Sequence, residues 1–504
     1  KRDHFVLEAK DKEAGRSDEL MLRKAYGQAR SYITHLPGTT PPYLILLDVA
    51  KTMMVWDRWE GGFGGFGAGR RIDLPTLHER APDINLLRDI WVHPQARNPR
   101  ARAQAITEKI AAKLAHLAAS LEKRGYDQER VSRFLMRCVF TMFAEDVRLL
   151  ADEPFRHLVG EVAIPNPEEF VPSVEDLWRA MDHGKRFGFR KLLRFNGHFF
   201  KDAEGLPLTR DDLAVLLEAA EADWSDVEPA IFGTLLTRAL DPKERHRLGA
   251  EYTPPEFIAR VVRPTVEEPI RERWTAVQAE VLQIREGGRP KDRKLAEQRL
   301  REFHDWLRQL RFLDPACGSG NFLYVTMHMV KRIEVEVLNE LANVTGTREL
   351  RFQEVDPSQF YGIEVKPWAR EIAELTLWIG FHQFWRRAHG DIQPEEPILR
   401  DTGTLSNRDA VLDRSGEKRD PARDRQDPTP RLRHPVTGEL VPDPTAKLEY
   451  RTILDPRETE WPPAEFIIGN PPFMGQLRQR EAFGDGYVDA LRAAYKKVPD
   501  AADL

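Results

Sequence analysis

Four consecutive residues, Asn470, Pro471, Pro472 and Phe473, close the apolar stretch "EFIIGN" in a way that an ordinary strand does not. The two prolines remove backbone donors and fix the chain direction. What remains is a pair of acceptors, the Asn470 side-chain oxygen and the Pro471 carbonyl, both able to bind one exocyclic amino group, and the Phe473 ring as a flat face for stacking. A conjugated amino group is a poor nucleophile, because its lone pair is delocalised into the ring. Two acceptors that draw its N–H bonds toward tetrahedral geometry help it attack. The chemistry expected is therefore group transfer to a planar amine, driven by placement and electrostatics.

A second set of residues has the types needed to hold a donor. In "FLDPACGSGNF" a strand ending in Asp314 leads through Gly318 and Gly320 into a helix. Glycines let the backbone approach a ligand, and a helix start presents unpaired N–H groups. The spacing is neither that of the dinucleotide fingerprint nor that of a phosphate loop ending in Gly-Lys-Ser/Thr, so a nucleoside ligand without a pyrophosphate is expected. The next strand, "FYGIEV", ends in Glu364, where a carboxylate can accept both hydroxyls of a ribose.

Near the start, "HFVLEAK" puts Glu8 and Lys10 on one side of a strand. The carboxylate can bind a divalent cation while the amine positions a water or phosphate. Gln28 and Tyr32 share one face of the following helix.

These residues need three kinds of scaffold. Up to about Trp56 the text reads strand, helix, strand, with "PYLILLDVAKTMMVW" as the second strand, then a glycine-rich turn and a linker, "HPQARNPRAR". A small α/β domain is expected over residues 1–95. Residues 96–240 carry apolar positions at helical spacing, which predicts a helical bundle. From 241 to 504, helices alternate with the short buried strands "RFLD", "QFYGIEV" and "EFIIGN", the pattern of a parallel sheet covered by helices. Residues around 283–310 are expected to form a charged helical arm and 413–450 an exposed loop or extension.

The chain has 504 residues and a net charge of −5, with 31% charged and 41% apolar residues, which fits a soluble multidomain protein without a uniformly basic face. Apolar runs fall short of the roughly 20 residues that span a bilayer. Two cysteines build neither a disulfide framework nor a cysteine zinc site. A cytoplasmic location is expected. The chain opens on Lys1, and the first and last domains read as incomplete pieces of a longer protein.

"DPACGSGNF", "YGIEV" and "IIGNPPF" resemble, in this order, the motifs of gamma-class N6-adenine DNA methyltransferases, and "LGAEYTPPEFIARVV" resembles their N-terminal cofactor motif. The resemblance implies a Rossmann-like class I methyltransferase domain that uses S-adenosylmethionine. It implies that Tyr252, Thr253, Asp314, Ala316, Gly318, Gly320, Asn321, Glu364 and Asp409 bind this cofactor, Glu364 at the ribose and Asp409 at the adenine ring. Asp391 or Asp401 are alternatives to Asp409. Asn470 to Phe473 would be catalytic, acting on an adenine flipped out of double-stranded DNA.

Glu8, Lys10, Gln28 and Tyr32 resemble the core of a PD-(D/E)xK nuclease, with Glu8 as a Mg2+ ligand; that family's aspartate, expected about a strand before Glu8, is not in view. The order of nuclease-like domain, helical spacer and methyltransferase resembles single-chain restriction-modification enzymes of the MmeI type. The alternatives are a phage-defence methyltransferase with a degenerate nuclease domain and other subunits as partners, a non-catalytic DNA-binding scaffold, and a methyltransferase acting on RNA or protein.

Overall fold

The structure, a computed structural model, describes residues 4–10, 18–34, 41–49, 51–57, 66, 69–195, 198–224, 227, 253, 255–286, 289–346, 354–389, 394, 398–400, 402–427, 431–433, 439–443, 445–473 and 476–499.

At the N-terminus, β1 (Phe5–Lys10), β2 (Tyr43–Asp48), β3 (Thr52–Asp57) and β4 (Arg70–Asp73) form one sheet in that order. β1 and β2 run parallel, joined through α1 (Asp18–Thr34), and the other pairings are antiparallel. The stretch expected as a single second strand breaks into a hairpin, because the chain turns where the Lys51 N–H bonds the Asp48 carbonyl at 3.0 Å. Alternation along β2 and β3 builds two apolar layers. Leu44, Leu46, Met54 and Trp56 pack with Leu22, Ala25, Tyr26, Ala29 and Ile33 of α1. Tyr43, Ile45 and Val55 pack on the other side with Leu86 and Ile90 of α2 (Ala81–Val92). The expected linker is a short helical turn at Pro94–Arg97 that feeds α3 (Pro99–Lys123).

The helical region continues with α4 (Gln128–Asp146), α5 (Phe170–His183) and α6 (Arg210–Ala220). Asp127 caps α4 by accepting from the N–H groups of Glu129 and Arg130, and Thr209 with Asp212 forms a capping box on α6. α4 is buried on every side from Phe134 to Glu145, as a helix at the centre of a core must be. That core does not stop at the helical region: one apolar cluster runs from Ile110 to Ile468. Polar contacts tie the two parts as well. The Gln383 side chain donates to the Val227 carbonyl at 2.8 Å, and the N–H groups of Ile398 and Leu399 donate to Arg194 and Phe195. The boundary expected at residue 240 lies outside the described residues.

Next, α7 (Pro255–Val262) passes through a π-turn at Arg263–Glu267 into α8 (Glu268–Glu286). Pro264 sits in that turn, where its missing N–H fits a widened spacing. α9 (Pro290–Gln309) folds back along α8. The expected charged arm is thus part of the body, because α9 carries a buried stripe of Ala296, Leu300, Phe303 and Leu307 toward α10 (Asn321–Thr345).

β5 (Phe312–Asp314), β6 (Phe360–Glu364), β7 (Leu405–Asn407) and β8 (Phe466–Ile467) make a parallel sheet in the order β8-β5-β6-β7, with α11 (Pro367–His389) following β6. Phe312 stacks between Phe360 and Phe466 at centroid distances of 5.0 and 5.4 Å, which pins the register of three strands at once. The chain leaves β5 toward β6 on one side, while β8 returns on the other. The crevice between β5 and β8 is therefore the topological switch point, where open parallel sheets bind ligands.

Between β7 and β8 the expected exposed loop or extension is a β-ribbon of nested antiparallel pairs: 412–413 with 457–458, 416–419 with 451–454, 425–426 with 447–448, and 431–433 with 440–442. Its root shares a small core, Leu412, Ile453, Ala490 and Leu491, with α13 (Asp485–Ala494), which follows α12 (Gln476–Phe483).

Behind the sheet, the Lys331 ammonium is 2% exposed and bonds Glu334 at 3.1 Å, Glu354 at 3.0 Å and the Val355 carbonyl at 2.8 Å; His304 meets Glu334 at 2.8 Å. Burial opposes the charge of Lys331, but the two glutamates hold its pKa above the ordinary value. Lys331→Met takes the ammonium away from buried Glu334 and half-buried Glu354, so unfolding free energy should fall by roughly 3–5 kcal/mol in urea titrations. A loss under about 1 kcal/mol would show that the cluster is not a buried ion network.

Candidate active site

The end of β5 and the turn after it form a cradle. Asp314, 1% exposed, accepts the Ala316 N–H at 3.0 Å. The Gly318 N–H donates to Glu364 at 3.0 Å, the Lys366 N–H donates to the other Glu364 oxygen at 2.9 Å, and the Cys317 N–H donates to the Ile363 carbonyl. Glu364 thus holds both strand-end turns, each oxygen keeping acceptor capacity. Gly318 and Gly320 have φ of +53° and +80°. At Gly320 a Cβ would lie 2.9 Å from the Ala373 backbone, whereas at Gly318 it would meet nothing within 4 Å. Gly320 is therefore required by helix packing and Gly318 by the turn itself, which leaves open space above it.

Burial pushes the Asp314 carboxyl up to about 7; the Ala316 N–H works against this and the neighbouring Glu364 charge adds to it. Burial also raises Glu364 above the usual carboxylate range, opposed by the N–H groups of Lys366 and Gly318. The Cys317 thiol is raised well above its ordinary value by burial, which keeps it protonated and inert. Asn321 donates to Ser319 at 3.1 Å, while its buried side-chain oxygen has no hydrogen-bond partner. A raised carboxyl, an orphaned buried acceptor and a spare carboxylate edge around a space suit a ligand with cationic and hydroxyl donors, as S-adenosylmethionine is.

The second acceptor set stands beside this cradle because of Gly469. A Cβ there would lie 2.5 Å from the Asp314 carboxylate, so glycine lets the end of β8 pass the end of β5 with Asp314 held where it is. Sequence reasoning missed this role; the glycine directly before Asn470 was the available signal. Beyond it Asn470, Pro471 and Pro472 are exposed, and Phe473 is 80% exposed. The Asn470 amide donates to the Thr253 hydroxyl at 3.1 Å. Tyr252 lies outside the described residues.

Asp409 is placed differently from the expectation. One carboxylate oxygen accepts from the N–H groups of Val411 and Leu412 at 2.8 and 3.1 Å, and the other accepts from the Tyr487 hydroxyl at 2.8 Å. Its carboxylate is committed to the root of the ribbon, because the short turn after β7 needs an acceptor for its free N–H groups. Asp391 and Asp401 lie outside the described residues. The residue at the end of β7 is Asn407, whose amide donates to the Glu364 and Val365 carbonyls, both at 2.8 Å, and so braces the Glu364 turn. Only the register Glu364↔Asn407 reveals that contact.

In the N-terminal sheet Glu8 and Lys10 point to the α1 side and pair at 2.8 Å. Asp48, the register partner of Lys10, is 3% exposed on the same face. Gln28 and Tyr32 stand on the flank of α1, beside its buried stripe, with Tyr32 59% exposed. Among the described residues no three His, Cys, Asp or Glu groups converge as a metal site.

Among the described residues no helix is long and apolar enough to cross a membrane. Residues 290–497 match the family described as "MmeI, DNA-methyltransferase domain", and residues 129–200 match "MmeI, helicase spacer domain". DNA methyltransferase A of Bacillus subtilis (strain 168) is 26% identical over 358 residues, which are 69% of this chain and 34% of that protein. The chain thus spans about a third of the length of that curated relative. The solved structure of the type IIL restriction-modification enzyme MmeI in complex with DNA shares the fold, with a TM-score of 0.54 and 22% identity over 78% of this chain and 47% of that one. Over residues 129–200 and 290–497 the chain is thus similar to the helicase spacer and DNA-methyltransferase domains of MmeI.

Proposed function

We propose that this chain methylates N6 of adenine at specific sites in double-stranded DNA, using S-adenosylmethionine, and that its N-terminal domain belongs to a Mg2+-dependent endonuclease in the same restriction-modification system. The observation that carries the methyltransferase reading is the passage of Gly469 against Asp314, which sets the Asn470–Phe473 acceptors beside the Asp314–Gly320 cradle at the switch point.

When bound, the cofactor supplies a methyl group on a sulfonium. Asp314, Gly318 and Gly320 hold its methionine end and Glu364 its ribose. The Asn470 oxygen and the Pro471 carbonyl accept the two N–H bonds of the target amine, orient its lone pair and favour the more cationic transition state. Phe473 is exposed enough to stack on an extruded base and replace the neighbours it loses. Both acceptors face solvent, so the proton displaced from nitrogen can pass to water.

A second reading keeps the methyltransferase and makes the N-terminal domain degenerate, in a defence system whose other subunits act on the invading DNA. It is favoured by the Lys10 ion pair, which engages Glu8, the expected metal ligand among the described residues. Incubating the full-length protein with unmodified DNA, S-adenosylmethionine and Mg2+, and reading methyladenine and strand breaks by single-molecule sequencing, separates the two. Under the nuclease reading breaks appear at a fixed offset from the methylated motif, and Lys10→Ala removes them by at least ~10²-fold while methylation persists. Methylation without breaks in the wild type selects the second reading, and binding of the cofactor without methylation overturns both.

A further inference from the structure

The hydrogen bond between Asn470 and Thr253 joins residues 217 positions apart and is the one bond that the Asn470 side chain makes among the described residues. An amide has nearly the same shape in its two orientations, but only one of them presents oxygen to an incoming amine. The other presents NH2 to NH2 and repels it. Which end faces the target therefore matters as much as where the side chain sits.

We propose that Thr253 is a positioning residue: its hydroxyl accepts the Asn470 N–H and thereby turns the Asn470 oxygen toward the target amino group. This rests on the methyltransferase reading above and adds to it a role for Thr253 distinct from holding the cofactor. The hydroxyl has one O–H to give and lone pairs to receive. Here the hydroxyl oxygen receives the Asn470 N–H at 3.1 Å, which leaves the amide oxygen as the end free to meet an incoming donor. Asn470 is exposed and Thr253 half-buried, so the better-fixed partner orients the freer one.

The test compares wild type, Thr253→Val and Thr253→Ser as full-length proteins. Methyl transfer from tritiated S-adenosylmethionine to plasmid DNA is followed with enzyme in excess and cofactor saturating, and binding of sinefungin, an unreactive cofactor analogue, is followed by calorimetry. Valine keeps the shape and removes the acceptor, so the single-turnover rate should fall roughly 10- to 100-fold, the cost expected for a misplaced catalytic group. Serine should restore it to within about threefold, since it keeps the hydroxyl. Stoichiometric sinefungin binding by the valine variant shows that its cradle is folded. A valine variant as fast as wild type at saturating cofactor, or a serine variant as slow as valine, overturns the proposal. A wild type that binds sinefungin and never methylates overturns the methyltransferase reading, and this proposal with it.

Discussion

Asn470→Ala is expected to lower methyl transfer to DNA by roughly 10²- to 10³-fold, the usual loss when one preorganised transition-state partner is removed. The side chain is exposed and makes a single hydrogen bond among the described residues, so its removal opens no cavity and leaves no buried group unpaired. Thermal stability should therefore stay within about 0.5 kcal/mol of wild type. Sinefungin binding should also be preserved, because Asn470 belongs to the amine side of the site. Aspartate at this position is a useful companion: it offers acceptors at both oxygens but loses the N–H that Thr253 receives. Single-turnover methylation and calorimetry on the same preparations check all of this. A variant that methylates within threefold of wild type would remove Asn470 from the mechanism, and one that loses sinefungin binding as well would place it on the cofactor.

The second large effect concerns Asp314, whose carboxyl is pushed up to about 7 by burial. A folded-state value above the ordinary 3.8 means that the stability due to the protonated form is fully present below about pH 3.8 and is lost as pH rises through about 7. Near neutral pH the site therefore carries a partly ionised, poorly solvated carboxylate. A cationic ligand group reverses the balance by favouring the charged form. Affinity for sinefungin should accordingly rise with pH up to about 7, by about tenfold per pH unit well below that value. Asp314→Asn should weaken binding by about 10- to 100-fold at pH 8, as expected for loss of a hydrogen bond to a charged group, and should flatten most of the pH dependence. Glu364, also raised by burial, accounts for any slope that remains. Equal wild-type affinity at pH 6 and pH 8 would mean that Asp314 does not meet a cation.

The β-ribbon between β7 and β8 shows how composition misleads about structure. Its Pro, Asp and Arg content reads as an exposed loop or extension without strands of its own, yet the strands pair over four successive short ladders. Charged residues are poor strand formers in isolation, and here they form cross-strand and inter-element pairs such as Arg457 with Asp413 and Arg423 with Asp489. The charged helix α9 misleads in the same way. Its sequence is dominated by Lys, Arg and Glu, but one buried residue per turn is enough to dock it on α10.

Features written within a few neighbouring residues were legible in the sequence by itself. The strand ends at Asp314 and Glu364, the positive-φ glycines that follow Asp314, the break of β8 into Asn-Pro-Pro-Phe and the helical periodicity of residues 99–220 all follow from local dihedral preferences and the spacing of apolar side chains. Only the tertiary structure decided what met across the chain. The closeness of Gly469 to Asp314, the bond from Asn470 to Thr253, the brace from Asn407 to Glu364 and the commitment of Asp409 to Tyr487 each depend on strand order and register. That order is set by the burial of whole faces, such as the stack of Phe312, Phe360 and Phe466, and no single segment contains it.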